Sequence, residues 1–167
     1  MDKFKEIMSY VIIIIIVLLI KRYVFTPIKV NGDSMNPNLF DGELMILNEI
    51  GYHLNGVERF DIVVIEKNGE KIIKRVIGLP GDKVEYKDDK LYINDELVEE
   101  TFNHKKTNDF SLSDIEVDII PEGYYFVLGD NRVNSLDSRI IGLISKKEIR
   151  GKTNFIIYPF KKFGKVQ

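Results

Sequence analysis

The stretch VNGDSMNPNLF (residues 30–40) places an isolated serine, Ser34, in a segment rich in turn-forming residues. A serine hydroxyl is a poor nucleophile and reacts only when a base lies within hydrogen-bond reach. The ordinary interpretation of this stretch is a surface loop. The alternative is a presented nucleophile, whose base another part of the chain would have to supply.

The side chains that most often take part in nucleophilic catalysis or metal binding, cysteine and histidine, are scarce in this chain. It contains no cysteine, which excludes disulfides, thiolate metal sites and a cysteine nucleophile. Its two histidines, His53 and His104, lie in stretches rich in polar residues and glycine, which are typical of solvated loops. We therefore do not expect a Ser-His-Asp triad. The sequence also lacks EF-hand spacing and a glycine-rich phosphate loop, so no metal and no cofactor are predicted.

Two further stretches have unusual compositions. In IIKRVIGLPGDKV (residues 72–84), Lys74 lies among isoleucines and valines of a predicted strand, where a lysine most often points to water. LGDNRVNSLDSR (residues 128–139) concentrates acids, amides and arginines in one short segment. It could be a solvated loop, or a network of caps and Arg-carboxylate pairs that holds something still.

Three of these motifs carry a family resemblance. GDSMNPNL, KRVIGLPGD and GDNRVNSLDSR, in this order after an apolar N-terminal segment, resemble the signature boxes of the type I signal peptidases. These are membrane-bound Ser-Lys proteases that remove signal peptides from exported proteins. DIVVIEK resembles the apolar strand box between the first two motifs. The similarity extends to about Ile144, and the size matches the compact members of Gram-positive bacteria.

The resemblance implies a set of catalytic residues. Ser34 would be the nucleophile and Lys74 the general base, Ser135 would hydrogen-bond and orient the lysine amine, and Asp137 would anchor the third box together with Arg139. A lysine of ordinary pKa is neutral in only about one molecule in 250 at pH 8. Burial lowers a lysine pKa by several units, and the apolar neighbours in the sequence are suited to provide that burial.

The resemblance also implies how substrate is held. Some members use a serine two residues before the nucleophile in the oxyanion hole, but Gly32 occupies that position here. The hole is therefore expected to rest on backbone N–H groups, chiefly that of Ser34. Substrates would be secretory preproteins with small residues at the first and third positions before the cut, bound as an extended strand. The shallow pockets would be lined by Val30, Met35, Leu39, Val64 and Ile73.

Residues 1–25 are predicted to contain a single transmembrane helix. IMSYVIIIIIVLLI (residues 7–20) has no charge, and apolar residues continue past Lys21 and Arg22, whose side chains can snorkel. Residues 4–25 would give about 33 Å of helix, enough to span a bilayer. A cleaved signal peptide is the alternative, but no small-x-small cleavage site follows. Flanking charge is nearly balanced; the resemblance implies a cytoplasmic N-terminus and a catalytic domain on the outer face of the cell membrane.

Residues 26–167 are predicted to form a mainly β, antiparallel peptidase domain. Short strands recur about every ten residues with turn signals between them and no α/β alternation. The predicted strands include TPIKV, ELMILNEI, DIVVIEK, KIIKRVIGL, YYFVLGD and KTNFIIYPF, and KNGE, KDDK and INDEL contain predicted turns. Helical periodicity outside the N-terminus is weak, with SKKEIR a turn at most. Residues 99–121 are the most polar stretch and are expected to be peripheral.

The net charge and the residues present argue against several alternative functions. The formal net charge is −2, and the body without its basic N-terminus is more acidic, which argues against binding nucleic acid. A self-cleaving repressor of the Ser-Lys kind would need a DNA-binding domain. A catalytically inactive, membrane-tethered paralogue that acts as a binding module would be expected to lack Ser34 or Lys74, and both are present.

Overall fold

The computed structural model describes residues 2–24 and 26–166 of the 167-residue chain. In these residues the helices are α1 (Asp2–Val24), α2 (Glu49–Asn55) and α3 (Ser138–Ile141). The strands are β1 (Thr26–Lys29), β2 (Leu44–Asn48), β3 (Ile62–Lys67), β4 (Glu70–Gly78), β5 (Val84–Lys87), β6 (Lys90–Ile93), β7 (Glu96–Val98), β8 (Phe110–Ser111), β9 (Tyr124–Leu128), β10 (Ile144–Ser145), β11 (Ile149–Tyr158) and β12 (Gly164–Lys165). Short 3-10 turns cover Leu112–Ile115, Lys146–Glu148 and Phe160–Lys162.

The strands form two antiparallel sheets, as the β-branched stretches and turn signals predict. The larger sheet has the order β1-β2-β11-β3-β4-β9-β10, with β12 beside β11. The smaller sheet has the order β7-β6-β5-β8. The prediction of a mainly β, antiparallel fold is confirmed. Because four antiparallel pairings separate β1 from β4, these two strands run in the same direction.

The N-terminal helix α1 covers the apolar stretch, and the large apolar side chains of residues 10–16 on it are exposed. Nowhere in the described parts of the chain does a helix combine the length and the apolar character needed to cross a membrane. The predicted transmembrane helix is therefore not confirmed and stays a prediction. The predicted domain boundary involves residue 25, which lies outside the described residues.

Tight turns set the register of three hairpins. Asn68-Gly69 joins β3 to β4, Asp88-Asp89 joins β5 to β6, and Asn94-Asp95 joins β6 to β7. All six turn residues have positive φ, the conformation that Asn, Asp and Gly tolerate best and that two-residue hairpin turns require. The turns predicted at these positions are confirmed.

Two expectations about secondary structure were wrong. The stretch ELMILNEI was predicted as one strand, but β2 ends at Asn48, and α2 begins at Glu49. The Asn48 side chain caps α2 by accepting a hydrogen bond from the Gly51 N–H at 2.7 Å. Residues 99–121 are not peripheral, since Phe102, Leu112 and Ile120 are buried in a core cluster with side chains of β4, β5, β6 and β9.

Candidate active site

Ser34 lies in a turn that the loop after β9 holds in place. The Asn131 N–H donates to the Ser34 carbonyl oxygen at 3.0 Å, and its side-chain amide donates to the Asp33 carbonyl at 3.1 Å. From the other side, the Asn38 amide donates to Oδ2 of Asp130 at 2.6 Å. The first and third motifs, almost a hundred residues apart in sequence, are therefore joined by hydrogen bonds at the serine.

Lys74 reaches Ser34 from strand β4. Its Nζ donates to Oγ of Ser34 at 2.7 Å and to the carbonyl oxygen of Ile73 at 3.1 Å. The lysine is only 3% exposed. Burial lowers the pKa of Lys74 to about 8, against the opposing effect of the negative charges on Asp137 and Asp130, which favour the ammonium. At that pKa a large fraction of the amine is neutral near pH 8 and can accept a proton.

Buried ion pairs fix the loop around this pair. The Arg75 guanidinium binds both carboxylate oxygens of Asp130, at 2.9 and 2.8 Å. The Arg139 guanidinium binds both oxygens of Asp137, at 2.9 and 2.8 Å, and the Gly129 N–H also donates to Asp137 at 3.1 Å. The pairing expected between Asp137 and Arg139 is thus present, and it orders the end of the third motif.

Ser135 does not make the hydrogen bond expected of it. Its Oγ is buried and has no hydrogen-bond partner among the described residues, while the Lys74 amine donates to Ser34 and Ile73 instead. The hydroxyl packs closely against Gly129: a Cβ on that glycine would overlap both the Ser135 Oγ and the Ser34 carbonyl oxygen. The predicted orienting contact is therefore wrong for this structure, although the residue lies beside the pair.

The Ser34 N–H is available to donate to an oxyanion. Gly32 has a φ of +76°, and its N–H donates to Oδ1 of Asp41 at 2.7 Å, so it is already used. Among the described residues, nothing accepts the Ser34 N–H. This agrees with the expectation that the hole rests on the Ser34 backbone.

A small cavity of about 110 Å³ lies beside Ser34, between residues 29–31 and residues 71–74. Val30, Met35 and Ile73, three of the five predicted pocket residues, line it. Leu39 and Val64 do not, because both are 0% exposed and pack in the core behind it. They can support the pocket wall but cannot contact a ligand there.

The two walls of this cavity are strand edges. Within the described residues β1 pairs only with β2, and β9 joins β4 only from Arg75 onward. Residues 71–74 of β4 therefore pair with β3 on one side and leave their other edge open. Two open edges that face one cavity are suited to bind an extended peptide between them.

The histidines lie away from this centre. His53 is exposed on α2. His104 is not solvated as expected: its side chain is 16% exposed, with Nε2 3.3 Å from a carboxylate oxygen of Glu100. Neither ring is hydrogen-bonded to Ser34. The described residues contain no cluster of potential metal ligands.

Comparison with known proteins agrees with this geometry. A family model described as signal peptidase, peptidase S26, matches residues 4–158. The chain belongs to the signal peptidase family. Signal peptidase IB of Staphylococcus aureus is 40% identical, over 95% of this chain and 93% of that protein. Signal peptidase I S of Bacillus subtilis is also 40% identical, over 94% and 90%.

A solved structure shares the fold. The crystal structure of a signal peptidase I from Enterococcus faecalis is 40% identical, with a TM-score of 0.54, and covers 57% of this chain and 95% of that one. As a member of the signal peptidase family, the chain is a hydrolase and a serine protease.

Sequence reasoning missed several residues that build this candidate site. Gly129 has no room for a side chain, Asn131 fixes the carbonyl groups of Asp33 and Ser34, and Arg75 neutralises a buried carboxylate. One sequence signal pointed to the last of these, since an arginine directly follows Lys74 in a strand of buried residues. The other two are visible only once the loop is folded onto the serine turn.

Proposed function

We propose that this chain is a membrane-bound serine endopeptidase that removes N-terminal signal peptides from exported preproteins, with Ser34 as nucleophile and Lys74 as general base. The observation that carries the proposal is the 2.7 Å hydrogen bond between Lys74 Nζ and Ser34 Oγ, made by a lysine that burial brings to a pKa of about 8. The names of the relatives and the family support the same activity.

The chemistry follows from this pair. Neutral Lys74 takes the proton of the Ser34 hydroxyl as Oγ attacks the peptide carbonyl carbon, and the Ser34 N–H donates to the oxyanion that forms. The ammonium then gives its proton to the leaving amine as the C–N bond breaks. In the second half, Lys74 takes a proton from water, the water oxygen attacks the ester carbonyl, and the proton returns to Ser34 Oγ as the ester bond breaks.

Substrate selection is part of the proposal. The substrates are secretory preproteins with small residues at the first and third positions before the cut. The cavity of about 110 Å³ favours small side chains, and its walls of Val30, Met35 and Ile73 are apolar. The open edges of β1 and β4 supply the backbone partners for the extended segment.

The membrane anchor is also proposed. The N-terminus lies in the cytoplasm, residues 1–25 cross the bilayer once, and the catalytic domain lies on the outer face. Support comes from the uncharged residues 7–20 and from the exposed apolar side chains of α1, which water does not favour. After alkaline carbonate washing the protein should stay in the membrane fraction, with its body open to external protease. A mature N-terminus near residue 25 would contradict the anchor.

The test of the catalytic assignment is cleavage of a signal-peptide substrate by the full chain and by Ser34→Ala. The variant removes one oxygen, so we expect a folded protein whose turnover falls to background. Retained turnover would mean another nucleophile, with Ser135 the nearest candidate. An inactive paralogue would fail at the first step, because the wild-type chain would not cleave at all.

A further inference from the structure

The cavity beside Ser34 continues away from the catalytic residues. Its walls run back from Ser34 to Lys29 on β1 and to Lys71 on β4. Lys71 also lines a second, larger groove of about 1060 Å³. We call this groove the distal groove; its lining includes Thr26, Leu47, Glu66, Lys71, Tyr124 and Arg150. The cavity and the distal groove therefore meet at Lys71.

Strand geometry shows that part of the distal groove belongs to the same face as the cavity. Alternate residues of a strand point to one face of a sheet. Lys71 thus shares a face with Ile73, Thr26 shares one with Ile28, and Glu66 shares one with Val64. These three apolar residues belong to the core cluster behind the cavity. This part of the distal groove is therefore the polar continuation of that face, whereas Tyr52 and Ile149 in its lining belong to a different core cluster.

The passage between cavity and groove is positively charged. Lys29 and Lys71 are exposed and stand on opposite walls. Within the described residues neither amine lies within 4 Å of a carboxylate; the pKa of the neighbouring Glu66 is lowered first by its hydrogen bond to Arg150 at 2.9 Å and also by the charge of Lys71. By the same alternation, Lys29 lies on the other face of β1 from Thr26 and Ile28, so the two cations meet the path from opposite faces, and each favours a negative charge on its own face.

The spacing along β4 indicates which part of a substrate passes between Lys29 and Lys71. Lys71 precedes Lys74 by three residues, about 10 Å of extended chain. The residue before the cut lies at Ser34, so an extended substrate that follows the same strands reaches Lys71 about three residues further back. The apolar part of the cavity lies between these two levels, where the small side chains before the cut would sit.

We infer that the preprotein segment preceding the residues held in the cavity runs between Lys29 and Lys71 into the distal groove. This passage selects an acidic side chain at the fourth or fifth position before the cut. The inference rests on the proposed function. The ligand class is a peptide carboxylate, which meets one lysine amine on either face of an added strand. Exposed ion pairs of this kind are worth about two- to fivefold in binding or rate.

The test uses the full chain in detergent and a set of preprotein-derived peptides. The peptides carry Glu, Gln or Lys at the fourth or the fifth position before the cut, or Glu at the third position after it. The enzymes are wild type, the double variant Lys29→Glu/Lys71→Glu, and the charge-matched control Lys90→Glu/Lys161→Glu, whose lysines are exposed and line neither the cavity nor the distal groove.

We expect wild type and the control to cleave the Glu peptide about two- to fivefold faster in kcat/KM than the Gln peptide, and the Lys peptide more slowly still. The double variant should reverse that order. The Glu placed after the cut should have no effect. Equal kcat/KM for all charges at both positions in wild type, or the same preference in the double variant, would overturn this inference alone. No cleavage of any peptide above a Ser34→Ala control would overturn the proposed function as well.

Discussion

Lys74 is destabilising in the folded protein at neutral pH, and the same burial prepares it to act as a base. Its folded pKa of about 8 lies below the ordinary lysine pKa of 10.5. Below pH 8 both the folded and the unfolded lysine are charged, so the whole desolvation cost, about 3 kcal/mol, opposes folding. Between pH 8 and 10.5 the folded state alone is neutral, and the cost fades until it vanishes above the unfolded pKa.

Because the buried ammonium of Lys74 opposes folding at neutral pH, its removal leads to a prediction for Lys74→Met. The variant keeps most of the apolar stem and loses the ammonium, so we expect it to be inactive yet at least as stable as wild type at pH 7 in urea unfolding. Wild type should gain stability relative to the variant between pH 8 and 10.5. The acidic limb of the wild-type kcat/KM profile should report an ionisation near pH 8. Substantial turnover by the variant, or marked destabilisation at pH 7, would show that Lys74 is not the buried base.

Gly129 gives a steric prediction at the same scale. In Gly129→Ala the new Cβ would overlap the Ser34 carbonyl oxygen and the Ser135 Oγ. The serine turn must shift, and we expect a large loss of kcat together with about 1–3 kcal/mol of stability. Kinetics and urea unfolding measure both. Adding Ser135→Gly relieves only one of the two overlaps; if it restored full activity, the contact with the Ser34 carbonyl would not be the important one.

At the scale of elements, the segment before β8 supports the loop that follows β9. A carboxylate oxygen of Glu100 accepts hydrogen bonds from Nη2 of Arg132 at 2.5 Å and from the Tyr86 hydroxyl at 2.9 Å. Arg132 also donates to the Thr107 hydroxyl at 2.8 Å and, through Nε, to the Gly129 carbonyl at 3.1 Å. Residues far from Ser34 are therefore linked to the glycine that packs against it.

Removing the carboxylate tests this link. Glu100→Gln leaves the buried guanidinium of Arg132 without its charge partner, and we expect a loss of about 3–5 kcal/mol in urea unfolding. Asp95→Asn breaks the exposed pair with Lys83 and should cost less than about 1 kcal/mol. Similar losses in the two variants would mean that the buried pair contributes no more than a surface pair.

The elements differ in how far sequence could predict them. The hairpins were predictable because Asn-Gly and Asp-Asp pairs tolerate the positive φ that two-residue turns require, and because they lie between β-branched stretches. Helix α2 could not be predicted, since its seven residues are too few for a clear helical period. Its N-cap, Asn48, is equally consistent with the end of a strand. Residues 99–121 misled because Phe102, Leu112 and Ile120 stand singly among polar residues, and only tertiary packing buries them.

The site shows the same division. The motifs pointed to Ser34 and Lys74, whose side chains are hydrogen-bonded, and to the pairing of Asp137 with Arg139; the catalytic roles of Ser34 and Lys74 stay a prediction. The side-chain direction of Ser135 could not be read from the sequence, since it depends on the close approach of Gly129. Whether a predicted pocket residue lines the cavity or packs in the core likewise depends on how deeply the folded sheet buries it.

At the scale of the molecule, the β-rich body is expected to fold and to cleave peptides without α1. Deleting residues 1–25 should leave a folded body that cleaves short peptides, because no residue of the proposed chemistry lies in that part. The body still carries an open apolar groove of about 620 Å³ lined by Pro27, Ile46, Phe155, Ile157 and Phe163. We therefore expect concentration-dependent association in size-exclusion chromatography that detergent reverses. Complete loss of peptide cleavage by a folded, monomeric body would contradict this separation.

The parallel course of β1 and β4 has a consequence for turnover. In the proposed function, a peptide strand that pairs with both open edges would join β1, β2, β11, β3 and β4 into a closed ring, and the scissile bond would lie where that strand leaves the ring at Ser34. Hydrolysis therefore frees the downstream piece at once, whereas the upstream piece remains hydrogen-bonded on both sides. We expect the spent leader fragment, and not the new N-terminus of the exported protein, to be the product that inhibits the enzyme and whose departure limits its rate.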